Sequence, residues 1–239
     1  MQYFTGVTVV GGNTSTESKF YGSNFESVMI PTSLITSTNQ YALKHAFRDH
    51  TKLKTVTFMV PPIFIHSSIF YNCISLEYIK GIVWEVLEKI GGEAFYRVPL
   101  NGIYSLNLKA LMSIGGKALV GCTGIKYLNL GKITEFGSTS FNDSTISDCP
   151  NLEILVLGKE LAMINYWSIT NCPKCDVYIQ ATIPPTTSYT FNRGMSAMIY
   201  VPMAYVNAYK SAIGWSEASS RIVGYDFEED PNDILFHKS

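Results

Sequence analysis

A unit of about 22 residues recurs along most of this chain, and nothing else in the sequence restricts the fold as tightly. SIGGKALVGCTGIKYLNLG from Ser113 aligns with KIGGEAFYRVPLNGIYSLNLK from Lys89. SSIFYNCISLEYIKG from Ser67 shares the later half, and TSFNDSTISDCPNLEILVLG from Thr139 carries a five-residue insertion before the cysteine. The composite unit reads L-x-x-L-x-L-x-x-x-L-x-x-I-G-x-x-A-F-x-x-C. Its central strand residue falls at Val7, Val28, Val56, Ile79, Leu106, Leu128, Leu155, Val177 and Ile199, with successive differences of 21, 28, 23, 27, 22, 27, 22 and 22. The second half ends on an apolar residue at Phe20, Phe47, Phe70, Phe95, Leu119, Phe141, Ile169 and Phe191. A period of this length belongs to stacked supersecondary units, not to a single closed core.

Each part of the unit has a physical reading. In Leu106-Asn107-Leu108, Leu128-Asn129-Leu130 and Leu155-Val156-Leu157 the outer residues share one face of a short strand. The pairs Gly91-Gly92 and Gly115-Gly116 stand where the chain must turn, and glycine tolerates positive φ there. The A-F-x-x-C segment spaces its apolar residues three apart, as a short helical turn would. One such coil buries too little to hold itself together, so the array must be continuous and capped at its ends. Ile199 to Trp215 reads as the cap: a strand broken at Pro202, then a helix with Val206, Tyr209 and Ile213 on one stripe and Gly214 as terminator. The expected fold is an α/β repeat, a solenoid of about nine coils. Short parallel strands form one face and short helical or irregular segments the other, with a C-terminal capping helix. Residues 1–215 form the solenoid, with the cap at about 199–215. Residues 216–239, five acids among them between Asp226 and Asp233, form an exposed tail or connector.

Composition narrows the function classes. Eighteen basic and 19 acidic residues give a net charge of −1, so no cationic excess exists to displace counterions from nucleic acid. The longest nearly apolar run, Phe58 to Ile65, has eight residues and two prolines, far short of the ~20 needed to span a bilayer. The opening MQYFTG has neither a basic nor an apolar leader region, so no export signal is expected in it. Only 15% of the chain is charged, which leaves Ser, Thr, Asn, Gly and Tyr to cover the surface.

No catalytic constellation emerges. Cys73, Cys122, Cys149 and Cys172 share one repeat position, where a cysteine behaves as a small buried hydrophobe. Cys172-Pro-Lys-Cys175 reads first as structural, with a disulfide, a redox pair or a metal pair as alternatives. A thioredoxin-type site needs its first cysteine at a helix N-terminus after a strand, and a zinc site needs two more ligands. Of His45, His50, His66 and His237, His50 fills the cysteine position and reads as a core or rim residue. Gly11-Gly12 lacks the rest of a phosphate loop. No cofactor and no metal are expected.

SIGGKALVGCTGIKYLNLG, KIGGEAFYR, SSIFYNCISLEYIKG and the terminal IYVPMAYVNAYKSAIGWS resemble the BspA-like leucine-rich repeats of bacterial surface proteins of the Bacteroides type, from about Val7 to Trp215. Two coils depart from the cysteine pattern, with His50 in one and Val98-Pro99 in another. The resemblance implies a curved leucine-rich-repeat solenoid, export to the cell surface, and adhesion or protein–protein interaction without catalysis.

The pleat then picks out a binding face. Residues between the inward ones point outward, and stacking aligns them into rows. The central row is Met29, Thr57, Lys80, Asn107, Asn129, Val156, Tyr178 and Tyr200. Beside it run Ser27, Thr55, Tyr78, Ser105, Tyr127, Ile154, Asp176 and Met198. At ~4.8 Å per strand the face is about 40 Å long, enough for a protein partner or a glycan. Lys80, Tyr78, Asn107, Tyr127, Asn129, Tyr178 and Tyr200 are the candidate contacts. Tyrosine offers rigid area and a hydroxyl at low entropic cost. Alternatively, Asn ladders and stacked Tyr only stabilise the sheet. A carbohydrate-binding module would instead use Tyr78, Tyr127, Tyr178, Tyr200 and Trp84 as stacking platforms. An enzyme would need a pocket-forming insertion, and the loops around Asn101 and Thr145 are short.

Overall fold

The computed structural model describes residues 2–3, 20, 23–37, 39, 41–137, 144–165, 168–187 and 197–227. The readings placed on Val7, Gly11-Gly12, Phe141, Phe191 and His237 lie outside these residues.

Ten face strands follow in chain order: β1 (Gln2–Tyr3), β2 (Ser27–Ile30), β3 (Thr55–Phe58), β4 (Tyr78–Lys80), β5 (Ser105–Leu108), β6 (Tyr127–Leu130), β7 (Ile154–Leu157), β8 (Asp176–Ile179), β9 (Ile199–Pro202) and β10 (Ile222–Tyr225). All pair in parallel with their sequence neighbours, β1 to β4 in one sheet and β5 to β10 in another. The repeat arithmetic sets the register. Val28 pairs with Val56 and Val56 with Ile79, while Leu106, Leu128, Leu155, Val177 and Ile199 align in one row. At the N-terminal end Gln2 pairs with Val28. The two inward residues of each four-residue strand from β2 to β9 are at most 3% exposed, and they feed one continuous core.

The second half of the coil is a row of tight turns, not the helical turn its spacing suggested. From His45 to His50, the N–H groups of Ala46, Arg48 and His50 bond three residues back. Those of His45, Phe47 and Asp49 bond the carbonyls of Ser67, Ile69 and Tyr71 in the next coil. The alternation requires two left-handed residues per coil, four apart: His45 and Asp49, Ser68 and Asn72, Glu93 and Arg97, Lys117 and Gly121. Backbone groups are thereby satisfied without a helix. Inside the turns Phe20, Phe47, Phe70 and Phe95 stack at centroid separations of 5.3, 5.9 and 5.8 Å. Leu119, Ile146 and Ile169 continue that row in register. Ile146 therefore fills the position assigned to Phe141. The insertion lies upstream of it, and the three-residue step from Ile146 to Cys149 matches that from Phe70 to Cys73.

Gly91, Gly92, Gly115 and Gly116 do not adopt positive φ. Their role is close approach: a Cβ on Gly115 would lie 2.3 Å from the Gly92 nitrogen, and one on Gly91 2.4 Å from the Ser67 nitrogen.

The C-terminal end departs from the expected cap. A 3-10 turn at Met203–Tyr205 leads into a short α-helix, Val206–Ser211, and Ala212 is already extended. Ile213 falls outside the helix and is 95% exposed, so the expected stripe ends at Tyr209. Trp215 takes the inner position, its Nε1 donating to the Pro185 carbonyl at 2.9 Å. Ser216–Arg221 forms a second 3-10 helix and β10 pairs with β9, where a tail beginning at residue 216 was expected. The final strand of the sheet is therefore β10.

Candidate binding face

The outward rows form as the pleat demands. Met29 pairs with Thr57 and Thr57 with Lys80 in the first sheet. Asn107, Asn129, Val156, Tyr178 and Tyr200 align in the second. Tyr78 is 54% exposed and Lys80 is exposed beside it. Asn107 and Asn129 are half-buried and linked, the Asn129 amide donating to the Asn107 oxygen at 3.0 Å. The link spans adjacent coils, as cross-strand polar pairs do.

The remaining candidates behave differently. Tyr127 and Tyr178 sit on the outward face yet are buried, and Tyr200 is half-buried with its ring stacked 4.4 Å from that of Tyr178. Burial, reinforced by the neighbouring Tyr200 and Asp176, raises the Tyr178 phenol above its ordinary pKa. An exposed row of stacking platforms is thus present only at Tyr78. Trp84 lies off the rows in the 3-10 helix Trp84–Val86, half-buried with its ring 6.1 Å from Phe95.

All five cysteines are buried thiols. The sulfurs of Cys73, Cys122 and Cys149 donate to the carbonyls of Phe47, Phe95 and Leu119 in the preceding coil, at 3.0, 3.4 and 3.2 Å. Burial pushes the Cys73 and Cys122 thiols well above their ordinary pKa. His50 holds the same position two per cent exposed, its Nε2 2.9 Å from the Ser23 hydroxyl. Its other ring nitrogen is buried without a partner, as is Nδ1 of His45. Burial lowers the pKa of both rings. Among the described residues no group of three or more His, Cys, Asp or Glu could hold a metal ion, and no helix is long and apolar enough to cross a membrane.

Two features escaped the sequence reading. The Arg48 guanidinium sits 3.7 Å over the Tyr71 ring, which stacks on Tyr96 at 4.6 Å. A cavity of about 470 Å³ is lined by Tyr41, Lys44, Ile63, Phe64, Ser67, Glu88 and Lys89. Both combine residues from successive coils whose repeat positions carry no fixed residue type.

Residues 13–147 match the BspA type leucine rich repeat region in six copies. The chain belongs to the BspA-type leucine-rich repeat family. A leucine-rich repeat protein from Bacteroides ovatus, solved at 1.19 Å, is similar in fold, with a TM-score of 0.54 and 18% identity. The likeness covers 74% of this chain but 43% of the Bacteroides chain. No curated protein matches the sequence. Parallel strands stacked one per coil, with few helices, are what the BspA-type repeat builds here.

Proposed function

We propose that this BspA-type chain is a non-catalytic scaffold that binds a protein partner, acting in adhesion at a bacterial cell surface, through the N-terminal and central part of its sheet face. The observation that carries the reading is the outward set made of Tyr78 and Lys80 in the first sheet and Asn107 and Asn129 in the second. It presents hydrogen-bonding groups and one exposed ring while the core behind it is complete. Leucine-rich repeats generally serve protein–protein interaction, which supports a protein rather than a small molecule. A glycan would be better served by several coplanar exposed rings, and Tyr127 and Tyr178 are covered.

Photo-crosslinking residues placed at Lys80 and Asn107, and separately at exposed Arg97 on the turn side, test this against surface proteins from bacterial and host cells. Adducts are expected from the first two positions. The double variant Asn107→Ala, Asn129→Ala should lose them, with about tenfold weaker binding. Adducts from Arg97 alone, or none from any position, would sink the reading.

A further inference from the structure

The outward face changes character part-way along. Thr55, Thr57, Tyr78, Lys80 and Asn107 are exposed or half-buried, whereas Tyr127, Ile154, Val156 and Tyr178 are 7, 3, 2 and 1% exposed. These four form an apolar cluster of their own, separate from the core. An outward apolar patch on a one-sided sheet faces water unless something covers it. Here the residues packed against it are Tyr200, Tyr225 and Phe227. Tyr225 stands edge-on to Tyr178 at 5.2 Å and 88°, and to Tyr200 at 6.0 Å and 80°. Phe227 meets Tyr225 at 4.9 Å and 65°. Edge-to-face pairs at these separations stabilise the contact beyond the area they bury.

We propose that the chain leaving β10 is an internal ligand of the sheet face, with Tyr225 and Phe227 as its seated residues. It occupies the C-terminal half of the sheet face and leaves open the N-terminal and central part assigned above to partner binding, on which assignment this inference rests. Tyr225 is the last residue of β10, opposite Pro202, and Phe227 follows it onto the patch. A partner that displaces this segment must itself offer aromatic side chains two residues apart.

Tyrosine nitration read by mass spectrometry tests the cover. In the whole chain Tyr78 and Tyr104, 54 and 63% exposed, should react while Tyr127 and Tyr178 stay protected. Deleting residues 226–239 should raise nitration of Tyr178 and Tyr127 about tenfold and increase binding of an anilinonaphthalene dye. A synthetic peptide of residues 226–239 added in trans should restore protection, and the same peptide carrying Phe227→Ala should not. Tyr178 and Tyr127 equally protected in the folded deletion variant would overturn the proposal. Should the deletion fail to fold, Phe227→Asp leaves every face strand intact, and unchanged Tyr178 nitration there would overturn it equally. None of these readouts uses a partner, so the binding assignment and the internal cover can fail separately.

Discussion

A left-handed backbone costs an L-residue about 1–2 kcal/mol, yet His45, Glu93, Arg97 and Lys117 all adopt it, with φ between 57 and 60°. The cost is offset by the bond each N–H makes to the next coil. Where the residue is Asn or Asp, its side chain adds a rung: Asn72 donates to Asp49 and Asn171 to Asp148, both at 2.9 Å. Close approach governs the glycines instead. Gly91→Ala and Gly115→Ala should each lower stability by about 2–3 kcal/mol in urea unfolding, because the new methyl meets backbone. Gly102→Ala, whose methyl would sit 3.5 Å from the Glu77 carbonyl, should stay within about 0.5 kcal/mol. The paired glycines were legible as necessary, but the sequence could not separate a turn requirement from a packing one. The left-handed Glu, Arg and Lys were not legible at all, since nothing in those side chains favours that conformation. The buried histidines add a pH response. Burial lowers the pKa of His45 and His50 in the folded state, so below about 6.5 the unfolded chain binds more protons. Stability should therefore hold above that pH and fall as the pH drops from there through the lowered folded values. His50→Cys, which installs the residue of neighbouring coils, should flatten the decline when melting temperature is followed from pH 7.5 to 5. An equal decline in both proteins would refute the assignment.

Strands were the most legible elements, because alternating leucines announce both their faces and their register. Elements that depend on one long-range contact were not. The stripe Val206, Tyr209, Ile213 extrapolates a helix that ends at Ser211. The chain extends at Ala212 so that Trp215 can reach the Pro185 carbonyl and pack edge-on to Tyr209 at 5.1 Å. No helical period encodes that exchange of Ile213 for Trp215. The helix itself is tied down by the Tyr209 hydroxyl, which donates to the Ala181 carbonyl at 2.8 Å in a fully buried setting. Tyr209→Phe keeps the ring but leaves that carbonyl unsatisfied, at a cost of about 1–3 kcal/mol. Urea denaturation of the variant should show the lower midpoint with an unchanged slope.

Across the whole molecule the face sheet is interrupted between β4 and β5, where the 3-10 helix Trp84–Val86 packs against β5. The interruption does not divide the chain. On the neighbouring side, Phe64–Ile65, Lys89–Ile90 and Ser113–Ile114 form a second parallel ladder that crosses it. The turn-side N–H groups of Glu93, Phe95 and Arg97 cross it too, bonding Gly116, Ala118 and Val120. Native-state hydrogen exchange should therefore give β3 and β7 opening free energies that converge on the global value, whereas independent halves would give two plateaus. The repeat period made the stacking legible, but not the covered half of the face, because Tyr225 and Phe227 lie outside the repeat. The alternating pleat also sets what the molecule is free to change. Substitution of the inward residues damages every coil they touch, while Thr57, Lys80 and Asn107 can be exchanged with little penalty to folding. Chains of this build can thus acquire new partners through the open outward row without redesigning their scaffold, and the covered row is the part where such drift is held back.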